Sequence, residues 1–411
     1  MEDYSPYFLS ENPFPSAAVV NPHSADPRIN GTIFNENIFK EEIALLRQKI
    51  GSRTNMIYVA GLKFDKGIGK SALIAHEWRR LTTAQNTTSV YVRCKPREDP
   101  GDFCRAIVME WHRLGHLWQT FRKILLQYAE EKHSLTLSKE SVETLFDVYR
   151  SPPETLPLTL YTHVTSPLSL SKDLKGWLLE KLGVSKESIS IVVDAYLTYP
   201  SSLSEKLAKV RLDEIDMLGN ILSLLIFSGF EQHYFFLDQM EDAIMATSAS
   251  KLREFCVAMR RMLEVCMNKA TIIVTLHPDS EMKLDTQQAK DLLGLAPLDL
   301  GHRVDVMSME AGSKLAVDLS LEYLRHFRTS DPPSTPFPFT PEAIRYVCYL
   351  KDGNIRAIVQ QLHECLKFGA SSGNRLIDME FILKHPRETL GALVDKEQLR
   401  EFRVKFKGET R

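Results

Sequence analysis

Cysteine is scarce in this 411-residue chain. The six are Cys94, Cys104, Cys256, Cys266, Cys348 and Cys365, and none forms a C-x-x-C pair. That scatter fits neither a disulfide framework nor a zinc ribbon. Long apolar runs are also missing. The longest, Ile221 to Phe227, falls far short of the ~20 residues that span a bilayer. The opening residues, Met1-Glu2-Asp3-Tyr4, lack the basic start and apolar core of a signal peptide. A reducing, cytoplasmic setting with no membrane partner is the expectation that follows. An excess of either charge is lacking too: 51 Lys+Arg stand against 53 Asp+Glu, a net charge of −2. This argues against a uniformly basic nucleic-acid binder and against an acidic disordered chain, while leaving room for a local basic patch. The chain has no internal repeat and no low-complexity tract.

What is present is an ordinary globular composition, 44% hydrophobic and 25% charged, with length for two or three domains. Residues 1–32, rich in Pro, Asn and Ser, predict an extended arm without a helix. Apolar spacing predicts a helix from about Asn37 to Ile50. Five short apolar runs predict strands at Met56–Ala60, Ser89–Cys94, Tyr234–Leu237, Thr271–Thr275 and Val304–Met307. Helices alternate with them, so the fold class is α/β with a parallel five-stranded sheet covered on both faces. The stretch from Asp102 to about Phe230 reads as almost wholly helical, with breaks at Ser151-Pro152-Pro153, Leu156-Pro157, Pro167 and Pro200. Helices return after Glu310. The tail segment Arg403-Val404-Lys405-Phe406-Lys407 alternates basic and apolar residues, a pattern that fits an edge strand or a loose phosphate contact.

The strongest chemical signal is Gly67-Ile68-Gly69-Lys70-Ser71-Ala72, between a predicted strand and a predicted helix. Phosphate-binding loops need that context. Glycines let backbone N–H groups face the phosphates, and a helix N-terminus adds a favourable dipole. Lys70 then meets the β- and γ-phosphates, and Ser71 holds Mg²⁺. The usual spacing G-x-x-x-x-G-K-[ST] requires a glycine where this chain has Phe64. The nearest, Gly61, lies three residues too early, so Leu62 to Lys66 reads as a lengthened loop. The second signal is the apolar run ending in Asp238-Gln239-Met240-Glu241-Asp242. A carboxylate at a strand's end can order the water shell of a magnesium ion, which gives Asp238 that role.

The pair of motifs resembles the additional-strand P-loop ATPases, in particular the AAA+ and STAND families. Asp238-Gln239-Met240-Glu241-Asp242 is similar to the Asp-Gln-Phe-Glu-Glu version of some STAND-type ATPases. The likeness covers about residues 33–95 and 230–370. It implies an ATPase core over 33–100 and 231–310, a helical lid over 311–390 beginning near Tyr323–Arg328, and a tail over 391–411. ATP and Mg²⁺ are the implied cofactors. Many relatives carry a catalytic Glu where this chain has Gln239, and Glu241 is then the candidate for polarising the attacking water. A slowly hydrolysing, nucleotide-held switch is the alternative. Thr275, with His277 as alternate, resembles the sensor-1 residue near the γ-phosphate. Arg303, within Gly301-His302-Arg303, stands where AAA+ proteins often place an arginine finger, with Arg260 and Arg261 as alternates. Arg356, in Asp352-Gly353-Asn354-Ile355-Arg356, resembles the sensor-2 arginine.

The resemblance stops at the middle. About 140 residues separate the second strand from the Asp238 strand, where one βα unit needs only ~30. Residues 101–230 therefore read as an inserted helical subdomain. Arg93, Lys95 and Arg97 mark its entrance. In the initiator branch of AAA+ proteins an insertion at this point contacts DNA, and alternating cations suit phosphates. His112 and His116, at i and i+4, have a zinc-compatible spacing without completing ligands; a packed or solvated pair is the reading preferred, as core is for Trp111, Trp118, Phe121 and Tyr128. The family likeness implies a homo-oligomeric ring or helical assembly with ATP between subunits. Its action would be on duplex DNA or a DNA-bound partner, on a separate effector protein in a defence-like system, or on a remodelled protein.

Overall fold

A computed structural model of the chain describes residues 2–61, 66–133, 167–183, 185–198, 213–284 and 302–406. In chain order the elements are α1 (Lys40–Gly51), β1 (Met56–Gly61), α2 (Lys70–Thr82), β2 (Thr87–Arg93), α3 (Pro100–Arg113) and α4 (His116–His133). Then come α5 (Pro167–Leu182), α6 (Lys186–Thr198), α7 (Glu214–Phe227), β3 (Gln232–Asp238), α8 (Met240–Ala246) and α9 (Ala249–Cys266). The next are β4 (Thr271–Leu276), α10 (Pro278–Leu284) and β5 (Arg303–Val306). The chain continues as α11 (Leu315–His326), α12 (Pro341–Leu350), α13 (Ile355–Ser371), α14 (Met379–Lys384), α15 (Pro386–Leu390) and α16 (Lys396–Lys405). Among the described residues no helix is long and apolar enough to cross a membrane.

The α/β class follows from alternation within single strands. The five strands pair in the order β2-β3-β4-β1-β5, all parallel. A parallel sheet needs cover on both faces. Met56 and Tyr58 of β1 pack to one side with α3, α4, α5, α6, α7 and α9. Ile57 and Val59 pack to the other with α1 and α2. The described helices between β2 and β3, together with α9, thus pack on one face of the sheet. Local signals set their ends. Asp99 accepts from the Gly101 and Asp102 amides in a capping box, with Pro100 at the first position, and Asp213 caps α7. Pro167 opens α5, as a first-turn proline should. The breaks read at 151–157 and at Pro200 lie outside the described residues.

Two regions differ from the sequence expectation. The arm holds a 3₁₀ turn at Ser5–Tyr7 and is packed rather than free. Tyr7, Leu9 and Phe14 belong to the apolar core of α11–α16, and Phe14 is fully buried. His363 Nδ1 donates to the Phe14 carbonyl at 2.7 Å, and Asn12 Nδ2 donates to the His363 carbonyl at 3.1 Å. Farther on, Arg79 of α2 donates to the Asn30 carbonyl at 2.7 Å, and His23 Nε2 to the Tyr91 carbonyl at 3.2 Å. The arm therefore grips both the sheet domain and the C-terminal helices. The tail is helix α16, not an edge strand. Phe402 and Phe406, four apart on one helical face, close on Tyr346 and Tyr349. Lys407 lies outside the described residues.

At the N-terminal edge of the sheet, Thr88 Oγ1 meets His233 Nδ1 at 2.8 Å and accepts from Trp111 Nε1 at 3.1 Å. His116 packs edge-on to Phe230. It is part of the core and joins no metal-capable cluster among the described residues. Burial pushes both imidazoles from 6.5 down to about 4; the Glu110 charge opposes this at His116, and the two rings disfavour each other's protonation at His233. Because the folded state holds these groups neutral, the unfolded chain takes up their protons first as pH falls. The stability present above pH 6.5 should therefore decline as pH drops toward 4. Urea midpoints across that range should show the decline, and His116→Phe should flatten it. A wild-type midpoint that does not move between pH 7 and 5 would contradict the assignment.

Candidate functional site

The site forms where β1 and β3 end and α2 and α13 begin. Gly67 and Gly69 take φ of 91° and 107°, the left-handed region that glycine enters without penalty. Neither tolerates a side chain: a Cβ on Gly67 would lie 2.7 Å from Arg356 Cβ, and one on Gly69 would lie 2.4 Å from Phe39 Cζ. The loop turns straight into α2 at Lys70, so the free amides of the helix's first turn face the cleft. Phe64 and the lengthened loop from Leu62 onward lie outside the described residues, apart from Lys66.

Asp238 is the hub. Its carboxylate is 1% exposed and accepts three hydroxyls from three neighbouring elements. Ser71 of α2 donates to Oδ1 at 2.9 Å, Thr275 of β4 to Oδ1 at 2.9 Å, and Tyr91 of β2 to Oδ2 at 2.6 Å. Burial and the adjacent Asp238 charge push the Tyr91 phenol well above its ordinary value, which keeps it a donor. Gln239 follows with φ 59°, and its amide donates to Thr275 Oγ1 at 2.7 Å. That left-handed residue reverses the chain into the short helix α8, which carries Glu241.

Lys70 is 7% exposed. Desolvation lowers its pKa, Arg356 adds to that, and Glu241, Asp238 and Glu281 oppose it. Glu241 is displaced the other way, to about 7: burial is the main cause, Asp238 and Asp242 add to it, and Lys70 resists. Glu281 of α10 is raised by burial, against the pull of Arg303. A carboxyl that titrates near 7 can exchange protons at neutral pH.

The C-terminal helices reach the loop through the start of α13. Asn354 caps that helix, donating from Nδ2 to the Lys66 carbonyl at 2.6 Å, and the Arg356 amide donates to the Gly67 carbonyl at 3.0 Å. The turn before it is fixed by Gly353, where any Cβ would sit 1.7 Å from the Met309 carbonyl oxygen. Arg356 Nε is buried with no hydrogen-bond partner. The resulting cleft, about 260 Å³, is lined by the loop from Lys66 to Ala72, by Arg93, Gln239, Glu241 and Asp242, by Tyr323, Ile355 and Arg356, and by Ala18, Val19, Val20, Arg28 and Ile29 of the arm.

Gly67, Ile68, Gly69, Lys70, Ser71, Ala72, Asp238, Thr275, Glu241 and Arg356 thus converge. Other expected residues stand elsewhere. Arg303 is 14% exposed and binds Glu281 at 3.0 Å and Asp305 within its own chain. Arg260 pairs with Glu264, and Arg261 with Asp213 and Asp216. All three finger candidates are therefore engaged by carboxylates of their own chain. Gly301 lies outside the described residues. His277 turns to Asp279, 3.2 Å away, rather than to Asp238. The trio assigned to DNA is exposed throughout but separates: Arg93 lines the cleft and donates to Gln239 Oε1 at 2.8 Å, Lys95 pairs with Glu98, and Arg97 lies beyond both. Sequence reasoning missed the arm's part in the cleft, although the apolar run Ala17–Val20 inside a polar, Pro-rich segment was its signal. It also missed Tyr91, which looks like any core strand residue.

No protein-family model matches the chain, and no curated protein matches it. The chemistry is therefore read from the site alone. Two helix N-termini, a glycine turn and the cations Lys66, Lys70, Arg93 and Arg356 suit a polyanion. Ser71 and Asp238 are hard oxygen donors side by side, which suits a small divalent cation. Asp238→Asn would set an amide donor against hydroxyl donors in a buried pocket. That change should cost about 1–3 kcal/mol in urea unfolding. An unchanged midpoint would show that the three hydroxyl contacts do not hold the site.

Proposed function

We propose that the chain is a magnesium-dependent ATP-binding and ATP-hydrolysing switch of the AAA+/STAND-like kind. The observation that carries this is the 2.9 Å hydrogen bond from Ser71 to Asp238, which brings the start of α2 against the end of β3 beside the buried Lys70. The sheet order supports it, since β4 lies between β1 and β3 as in the additional-strand class. In this reading the loop amides and Lys70 bind the phosphates, and Arg356 meets the terminal one. The apolar arm residues Val19, Val20 and Ile29 face the nucleobase side. Ser71 and Asp238 would hold Mg²⁺, which when bound neutralises phosphate charge. During hydrolysis a water oxygen bonds the terminal phosphorus while that phosphorus breaks from its bridging oxygen. The electron pair leaves on ADP, and Glu241 takes the water's proton. Thr275 keeps Asp238 and the Gln239 backbone in register for this.

The contacts of Asn354 and Arg356 with the loop give the switch its moving part. A ligand phosphate that strengthens them favours a closed lid, and its release loosens it. Lys70→Ala should abolish ATP binding measured by calorimetry; unchanged affinity would sink the proposal. Glu241→Gln should keep ATP bound but lose turnover. The wild-type rate should rise with pH through about 7, because the base is the deprotonated form, and this limb should vanish in the variant. A wild-type rate flat from pH 6 to 8 would count against Glu241. For the output we carry forward an ATP-favoured homo-oligomer acting on duplex DNA or a partner protein. Particle sizing with ATP, with and without duplex DNA, tests both. A monomer under every condition would remove the assembly, and DNA binding with a steep salt slope would support the DNA arm.

A further inference from the structure

Arg28, in the lining of the cleft, is paired with Asp26 and Glu11, while Arg93 is a cation there that the proposed chemistry has not used. It ends β2, in register opposite Asp238 at the end of β3. It lines the same cleft as Lys70, Ser71, Glu241 and Arg356. Its Nε donates to Gln239 Oε1 at 2.8 Å, so the guanidinium is held at one corner by a neutral amide. Gln239 is itself fixed, by its left-handed backbone and by the bond from its amide to Thr275. Arg303, Arg260 and Arg261, by contrast, are neutralised by carboxylates of their own chain.

We propose that Arg93 is a catalytic arginine supplied within the same chain, placed by Gln239 to stabilise the terminal phosphate of bound ATP as charge shifts during transfer. This rests on the ATPase reading above. The logic is electrostatic. Phosphoryl transfer spreads charge over the equatorial oxygens, and a guanidinium fork matches two of them. A neutral holder leaves that charge undiminished, whereas the carboxylate partners of Arg303 would compete with phosphate. Gln239 in place of a glutamate then has a reason: a carboxylate there would pair with Arg93 and withdraw it. Glu241, two positions farther on, is left to take the proton. The activity of such a site belongs to the single chain.

Three measurements on the full chain test this together: ATP binding, hydrolysis rate, and binding of ADP with aluminium fluoride, which mimics the transferring phosphoryl group. Arg93→Ala should bind ATP within about threefold of wild type, yet lose about a hundredfold or more in rate. It should also lose its preference for ADP–aluminium fluoride over ADP. Arg93→Lys should recover only part, since an ammonium cannot reproduce the fork. Gln239→Glu should slow turnover while leaving ATP binding near wild type, and thermal melts should show each variant folded. Wild-type activity per chain should not change with protein concentration. Arg93→Ala turning over like wild type would overturn the assignment. So would wild type that binds ATP without hydrolysing it, or a rate that climbs with concentration and collapses in Arg303→Ala. Wild type that binds no ATP would overturn the ATPase reading as well.

Discussion

One buried carboxylate organises this molecule. Asp238 sits at the end of β3, between the edge strand β2 and β4, sealed from solvent, and receives hydroxyls from α2, β2 and β4. A carboxylate in such a place is tolerable because three hydroxyls answer most of its acceptor positions. Each answer fixes an element. Ser71 sets the start of α2 and hence the glycine turn. Tyr91 sets the edge strand β2 and hence Arg93. Thr275 sets β4 and, through the Gln239 amide, the direction of α8. The functional side chains are therefore positioned by a single charge rather than by separate local structures.

The second constraint is that the cleft has walls from three parts of the chain distant in sequence. The sheet domain gives the floor, the start of α13 one side, and the arm the other. The arm is anchored at both ends: Phe14 lies in the core of the C-terminal helices, and Asn30 is tied to α2 by Arg79. Any change in the angle of α13 against the glycine loop must strain the arm as well. Opening the cleft and loosening the arm are thus one event energetically, which is the kind of bistable element a nucleotide switch needs.

Much of this was legible in the sequence. The five strands, the helix after Lys70 and the described helices between β2 and β3 all announced themselves through local apolar period and the glycine–lysine–serine turn. The meeting of Ser71 with Asp238 was legible because the two motifs demand each other chemically. What escaped depends on long-range packing. Nothing local shows that Phe14 will be buried beneath α13, or that Tyr91 differs from its strand neighbours by donating to Asp238. The basic series Arg93, Lys95 and Arg97 looked uniform. Its members part company because the strand ends at Arg93, so that only this residue lies in register with Asp238. The tail misled for a related reason: an alternation of basic and apolar residues over five positions suits a strand, but Phe402 and Phe406 share a helical face.

The opposing pKa displacements of Lys70 and Glu241 follow from the same geometry. Lys70 is buried and Glu241 half-buried near it, and desolvation pushes each toward its neutral form, the lysine down and the glutamate up to about 7. The cleft is lined by Arg28, Lys66, Lys70, Arg93 and Arg356 against Glu241 and Asp242, with Asp238 and Glu281 close to Lys70, so it is more cationic than the chain's net charge of −2 suggests. Such a site favours a polyanion at short range, within about a Debye length. Its affinity also draws on close contacts: the amides of the loop, the start of α2, and Lys70, whose water has already been removed by folding. Desolvation costs met at folding need not be met again on binding. A phosphate that enters would favour the charged form of Lys70, against the desolvation that lowers it. In the proposed cycle the ligand thus offsets part of the cost that folding imposed on that lysine.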